Sequence, residues 1–267
     1  SDGFAYVAVR DTGRAVIDVR DPSNPSHLAT VPAPEVYGVF VSEGHAYVAA
    51  GNAGLMIVDV SDPRHPFVKT TLDTGYELKV SVAGEYAYLA GGDLTIVNIA
   101  DPENPSIERT VTTPGQAEDV ALMDAWACVA DQSEGVTVVD VTDPPNAAVA
   151  RTIATSWMAR AVAVSGSLVF VADEDAGLSI VEIAEPSAPA VSATIAANGS
   201  ELAVSGQHAY LAGSAGLSVF DISSPDSPKH LTTIATEDSG LGVAIAGDLA
   251  YIGDKAAGLT IMEIRDP

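Results

Sequence analysis

Apolar side chains along this chain fall in short, strand-length runs separated by Gly, Pro, Asp and Ser, and no window sets them at the spacing of a helix face. The stretch from Glu35 to Asp73 reads as one complete unit. Val39-Phe40-Val41 ends in a Ser42-Glu43-Gly44 turn, His45-Ala46-Tyr47-Val48-Ala49 follows, and Ala50-Gly51-Asn52-Ala53-Gly54 leads into the run Leu55 to Val60. Asp62-Pro63-Arg64-His65-Pro66 turns the chain again before Phe67 to Leu72. The pattern predicts four short strands joined by turns, with helix almost absent.

This unit recurs. Copies align on Pro22, Pro63, Pro102, Pro144, Pro186, Pro225 and Pro267, at successive gaps of 41, 39, 42, 42, 39 and 42 residues. A second column aligns in the same register, an aromatic at Tyr6, Tyr47, Tyr88, Phe170, Tyr210 and Tyr251 with Cys128 in the fourth copy. A period of roughly 40–45 residues with one such strand cluster per repeat is the pattern of a propeller blade. The fold expected is all-β, a seven-bladed β-propeller of four-stranded antiparallel blades, in units of approximately 1–25, 26–66, 67–105, 106–147, 148–189, 190–228 and 229–267 of a single domain.

The strands take positions a to d, from the axis outward, by their chemistry. Strand a carries small residues, as in Val80-Ser81-Val82-Ala83-Gly84. Strands b and c are apolar at successive positions, as strands packed on both faces must be. Strand d, such as Phe67-Val68-Lys69-Thr70-Thr71, is the most polar and suits the outer edge. Ser1-Asp2-Gly3 matches the turn after strand a, and Asp266-Pro267 matches the turn before strand d. The first blade is therefore expected to lack its inner strand and the last its outer one, and the reading is of one domain within a longer multidomain chain.

Charge narrows the partners. With 36 acidic against 12 basic residues, the net charge of −24 repels phosphate backbones and anionic headgroups, so nucleic acid is excluded as a partner. No apolar run is long enough for a membrane span, so no membrane insertion is expected. The single Cys128 forms no intrachain disulfide and sits in the aromatic column, as a small core residue does.

The runs Gly54-Leu55-Met56-Ile57-Val58-Asp59-Val60, Gly135-Val136-Thr137-Val138-Val139-Asp140-Val141 and Gly177-Leu178-Ser179-Ile180-Val181-Glu182-Ile183 resemble the LVIVD-repeat family. That resemblance implies a β-propeller of secreted or cell-surface proteins, an extracytoplasmic location, and no particular activity. The third copy departs with Asn98 and the fourth with Cys128 and Pro144-Pro145-Asn146.

Candidate chemistry is sparse. The acids that close strand c, Asp18, Asp59, Asp140, Glu182, Asp221 and Glu263 with Asn98 among them, recur in every copy and read as acceptors for turn N–H groups. The b–c loops, Arg10-Asp11-Thr12-Gly13, Asp131 to Gly135, Asp173 to Gly177 and Asp254-Lys255, are acidic but unequal. Carboxylates at Asp131, Glu134, Asp173 and Asp175 with intervening Gly make Ca2+ a weak candidate, although no twelve-residue calcium loop is present. No other cofactor is expected. Residues that differ between copies have no scaffold reason, and those in the lead-in to strand a crowd the mouth of the central channel. Tyr37, Tyr76, Lys79, Glu118, Asp119, Trp157, Arg160 and Glu201 are accordingly the expected binding residues, for a protein or carbohydrate partner.

Catalytic templates fail: the five His fall on turns and outer strands, and no nucleophile elbow, phosphate loop or Cys-x-x-Cys is present. The sequence thus favours a non-catalytic interaction or scaffold module binding on the channel-mouth face. The alternative is a hydrolase or isomerase dependent on a divalent cation held by Glu118, Asp119 and Glu201.

Overall fold

The computed structural model of the chain describes residues 3–9, 13–33, 35–183, 189–254 and 258–265. Ser1, Asp2, Arg10, Asp11, Thr12, Pro186, Lys255, Asp266 and Pro267, all used in aligning the repeats or in weighing the loops, lie outside the described residues.

The second repeat shows how a blade forms. Gly38–Ser42, His45–Ala49, Leu55–Asp59 and Phe67–Leu72 make an antiparallel sheet in sequential order. The sheets that begin at Lys79, Asp119, Ala161 and Glu201 repeat this order of four. The first sheet has only Phe4–Val9, Gly13–Asp18 and Ser26–Val31, and the last only Gly240–Ala246, Leu249–Asp254 and Gly258–Glu263. The chain is a seven-bladed β-propeller whose first and last described sheets are three-stranded, and among the described residues the helical content is confined to single 3₁₀ turns at Pro144–Asn146 and Glu174–Ala176.

Strand c opens on glycine for a steric reason. Gly54 (φ +80°), Gly135 (φ +86°) and Gly177 (φ +104°) are in the left-handed region, and a Cβ there would lie 2.4, 2.3 and 2.3 Å from the carbonyl oxygens of Leu72, Ile153 and Ile195, at the end of strand d. In the first, second, third, fifth and sixth sheets the c–d pairing also shifts by one residue in mid-strand, as between Ile57 and Val58, so the outer strand bends with a bulge.

The contacts divide the chain into two compact units, one of Ser1–Thr113, Ala117–Val120 and Val141–Ala148, the other of Pro114–Gln116, Ala121–Asp140 and Val149–Pro267. Within the first unit, Tyr47, Ala49, Leu55 and Ile57 of one sheet pack on Val80, Ala87, Leu89 and Val97 of the next. Ala46, Val48, Met56 and Val58, on the opposite face of that same sheet, pack toward the sheet before it. Within the second unit, Phe170, Leu178 and Ile180 meet Ala209, Leu211 and Phe220 in the same manner. Strands b and c are therefore buried on both faces, which explains their unbroken apolar runs. Cys128 is fully buried in one such layer, where burial pushes its thiol up to about 12 and leaves it unreactive.

Candidate functional site

Most of the carboxylates serve the scaffold. Asp18, Asp59, Asn98 and Asp221 each accept a hydrogen bond from the backbone N–H two residues on, at 2.9 to 3.1 Å, as expected for the acids that close strand c. Asp21, Asp62 and Asp101 do the same one turn later. The bonds from Ser61 hold the Asp59 carboxyl below the usual range, and bonds from Arg20 hold Asp18 down to about 2.

A second set of acids, at the end of strand b, was read as loop carboxylates and proves to be structural. Asp131, Asp173 and Asp254 are fully buried. Asp173 accepts from the hydroxyl of Thr155 (2.9 Å), the N–H groups of Ser156 (2.9 Å) and Trp157 (3.0 Å), and the hydroxyl of Ser179 (3.2 Å). Asp131 accepts from Gly115 N–H and Thr137 Oγ1, and Asp254 from the N–H groups of Glu237 and Asp238 and from Thr260 Oγ1. Each clamps the lead-in to strand a onto a hydroxyl-bearing residue near the start of strand c. The oxygens of Asp131 and Asp173 already face N–H and O–H donors, Asp175 accepts from Asn198, and among the described residues no three His, Cys, Asp or Glu are grouped to hold a metal ion.

The second, third and sixth blades have Ala50, Gly91 and Gly213 at this clamp position, and the first has Val9. In the third blade the missing carboxylate is replaced from the lead-in to strand a. Glu77, only 2% exposed, reaches into the space above Gly91, where a Cβ would lie 2.7 Å from Glu77 Oε2. Its Oε2 and the nearby Thr74 hydroxyl are buried without a hydrogen-bond partner among the described residues. Burial pushes the Glu77 carboxyl up to about 8, so it is protonated at neutral pH. Glu77, which follows the expected binding residue Tyr76 in the chain, is therefore part of the scaffold.

The sixth blade has neither acid. Gly213 replaces the clamp Asp and Gly199 stands where Glu77 stands in the third, and their backbones come together, with a Cβ on Gly213 lying 2.6 Å from Gly199 Cα. Around them opens a cleft of about 220 Å³, lined by Glu174, Asp175, Asn198, Ser200, Ser214, Ser239 and Leu241 along with the two glycines and Gly240. Ser214 Oγ donates to Asn198 Oδ1 (3.1 Å), and Asn198 Nδ2 donates to Asp175 Oδ1 (3.1 Å), so one wall is a chain of oriented polar groups. Glu174, on the rim, also accepts from Arg160 Nη2 at 3.3 Å. Leu241, 55% exposed, supplies an apolar edge.

Trp157 lies on the lead-in segment pinned by Asp173, the residue before Glu174. Its backbone is fixed while its ring is 54% exposed. An exposed indole on a fixed backbone is preorganised for contact, since little ordering entropy remains to be lost.

The binding residues expected from sequence thus fall in two groups. In the first unit Tyr37 and Tyr76 meet edge to face at 5.8 Å, and Lys79 lies against Gly38, whose Cβ would touch it. Glu118 and Asp119 also belong to this unit, and Asp119 accepts from the N–H of Val120. In the second unit Trp157 and Arg160 adjoin the cleft through Asp173 and Glu174, Glu201 follows the lining residue Ser200, and Asp175 lines the cleft. Glu134 sits in the turn closed by its N–H to Asp131 O. Asn198, Ser214 and Ser239 were missed from sequence. The signal was there in part: Gly213 stands where the blades before and after it carry Asp173 and Asp254.

Comparisons place these features. The family model described as LVIVD repeat matches residues 1–32, 35–74, 75–113, 114–155, 158–197, 196–236 and 240–267. No curated protein sequence matches the chain. Among solved structures, it is similar to a candidate 6-phosphogluconolactonase from Bacteroides uniformis, at 11% identity and TM-score 0.87, covering 98% of this chain and 92% of that one. A candidate 6-phosphogluconolactonase from Bacteroides fragilis gives 11% identity and TM-score 0.82, with 99% and 92% covered. The Cps50 (Swd1) β-propeller domain of Myceliophteria thermophila gives 8% identity and TM-score 0.79, with 98% and 93% covered. Identities this low carry the fold alone. With seven consecutive repeats matched from one end to the other, the chain belongs to the LVIVD repeat family.

Proposed function

We propose that this propeller is a non-catalytic binding module of a secreted or cell-surface protein, and that it takes a neutral or cationic saccharide in the cleft of its second unit with Trp157 as the aromatic platform. The observation that carries this reading is a half-exposed Trp157 whose backbone is clamped to Asp173, the residue before the cleft-lining Glu174, together with a small cleft of hydroxyl, amide and carboxylate groups. Sugars present hydroxyls for such walls and C–H faces for such rings. Glu174 and Asp175 at the cleft, in a chain of net charge −24, disfavour phosphorylated ligands, so the chemistry named for the Bacteroides structures finds no support in the charge of this site. The extracytoplasmic location rests on the family's usual setting.

A glycan array probed with the intact chain and with Trp157→Ala tests the reading. Expected is a set of neutral or amino-sugar ligands whose signal falls at least about tenfold in the variant, the loss of roughly 1.4 kcal/mol from an anchor contact. An array with no ligand, or one whose ligands ignore the substitution, overturns it.

A further inference from the structure

Asn198 is the middle of the polar chain along the cleft. Its Oδ1 accepts from Ser214 Oγ and its Nδ2 donates to Asp175 Oδ1, each at 3.1 Å, so one amide links the turns that carry Asp175 and Ser214. It also differs chemically from the other asparagines. The chain has six, at positions 24, 52, 98, 104, 146 and 198, and only Asn198 is followed by glycine.

That neighbour matters because an asparagine side chain can react with its own backbone. The nitrogen of the next residue attacks Cγ, a five-membered succinimide closes and the Cγ–Nδ2 bond breaks. The proton lost from the attacking N–H leaves with the amide nitrogen as ammonia. Water then opens the ring at either carbonyl, giving aspartate or isoaspartate, so water is the only co-reactant. The attacking nitrogen has to approach Cγ closely, and a Cβ on its residue obstructs that approach.

The structure leaves this route open at Asn198. Gly199 admits no larger residue without a shift, since a Cβ there would lie 2.5 Å from Leu211 Cγ. Among the described residues the Gly199 N–H makes no hydrogen bond, whereas the next one, of Ser200, is held by Ala212 O at 3.0 Å. The Ser214 hydroxyl draws electrons from Cγ through Oδ1 and stabilises the negative charge that gathers on that oxygen during attack. Asn198 is exposed, so water reaches the ring. Asn52, Asn104 and Asn146 also donate from Nδ2 to a carboxylate, but they precede Ala, Pro and Ala, and among the described residues no hydroxyl donates to their Oδ1.

We infer that Asn198 is a self-modification site, where cyclisation onto the Gly199 nitrogen and hydrolysis convert the amide to a carboxylate and cut the polar chain of the cleft. The new carboxylate has no hydrogen to give Asp175, so an attraction at 3.1 Å becomes a repulsion between like charges, and the cleft gains one negative charge. The isoaspartate form also lengthens the backbone beside Gly213, where Asn198 O already lies 2.5 Å from the place of a Cβ. The change is irreversible and accumulates with the age of the molecule. This chemistry is independent of what the cleft binds.

Ageing the intact chain in mildly alkaline heavy-oxygen water, followed by digestion in ordinary water and peptide mass mapping, tests the assignment. Label is expected in the peptide carrying Asn198 at a rate at least about tenfold above those carrying Asn52 or Asn146. Ser214→Ala, an exposed change outside the core, keeps the Asn-Gly pair and is expected to slow labelling severalfold, because the carbonyl loses its donor. Asn198→Asp, made directly, is expected to speed amide exchange in residues 174–176 and 198–200, where the link to Asp175 is lost. Equal labelling of all asparagines, first labelling at another one, or Ser214→Ala reacting as fast as the parent chain overturns the proposal. Unchanged exchange in Asn198→Asp overturns the effect on the cleft.

Discussion

Glu77 shows how a single residue position decides what a carboxylate does. Its carboxyl is pushed up to about 8 from the ordinary 4.5, so the folded state holds a proton that the unfolded state releases. The contribution is fully present below about pH 4.5 and is lost as pH rises through about 8, at roughly 1.4 kcal/mol per unit of pH in between. The melting temperature of the chain should therefore fall between pH 5 and 9, and that of Glu77→Gln should stay level; equal slopes would show that Glu77 is not the group responsible. Asp173 makes the opposite case, a buried acid surrounded by donors. Asp173→Ala leaves the N–H groups of Ser156 and Trp157 without their acceptor, and a loss of about 2–3 kcal/mol is expected from chemical denaturation, together with freer motion of Trp157 in fluorescence anisotropy. The roles of these acids were only partly legible in the sequence. Asp18, Asp59 and Asp221 could be assigned because their partners lie two residues away in the chain. Those of Asp173 lie up to 18 residues away, and that juxtaposition requires the sheet.

At the scale of the strand, the repeat is written by sterics. The glycine that opens strand c is fixed by positive φ and by the carbonyl at the end of strand d, so Gly54→Ala should cost more than about 2 kcal/mol by thermal melting, whereas Gly84→Ala, in a turn where nothing lies within 4 Å of the added Cβ, should cost less despite its φ of +56°. Equal losses would mean that the carbonyl contact is unimportant. Thr194→Val separates the Ser179 hydroxyl from its partner across the c–d ladder and should cost about 1 kcal/mol. Strand order, strand chemistry and the three-stranded first and last sheets could be read from the chain, because each depends on local turn signals and on alternation over a few residues. The cleft of the second unit could not. It arises because Gly213 and Gly199, 14 residues apart, both lack the side chain that closes the corresponding space in other blades.

At the scale of the whole molecule, the acid excess governs the response to solution. A net charge of −24 on 267 residues makes the folded chain repel itself, and added salt screens that repulsion over a Debye length of about 8 Å at physiological ionic strength. Melting temperature should rise with added potassium chloride; a flat or falling profile would show that local pairs such as Arg160 with Glu174, which salt weakens, outweigh the global repulsion.

By itself, the sequence determined the seven-bladed all-β architecture, the place of each strand in its blade and the core role of Cys128, because a repeat states the same local solution seven times and the hydrophobic pattern needs only neighbours in the chain to be understood. The tertiary structure alone decided which acids are buried clamps, that Glu77 stands in for a missing one, and where a cleft remains. Those outcomes depend on which side chains from distant turns share one small volume, and whether a carboxylate there meets a hydroxyl, an N–H or empty space is set by the packing of sheets, on which spacing along the chain is silent.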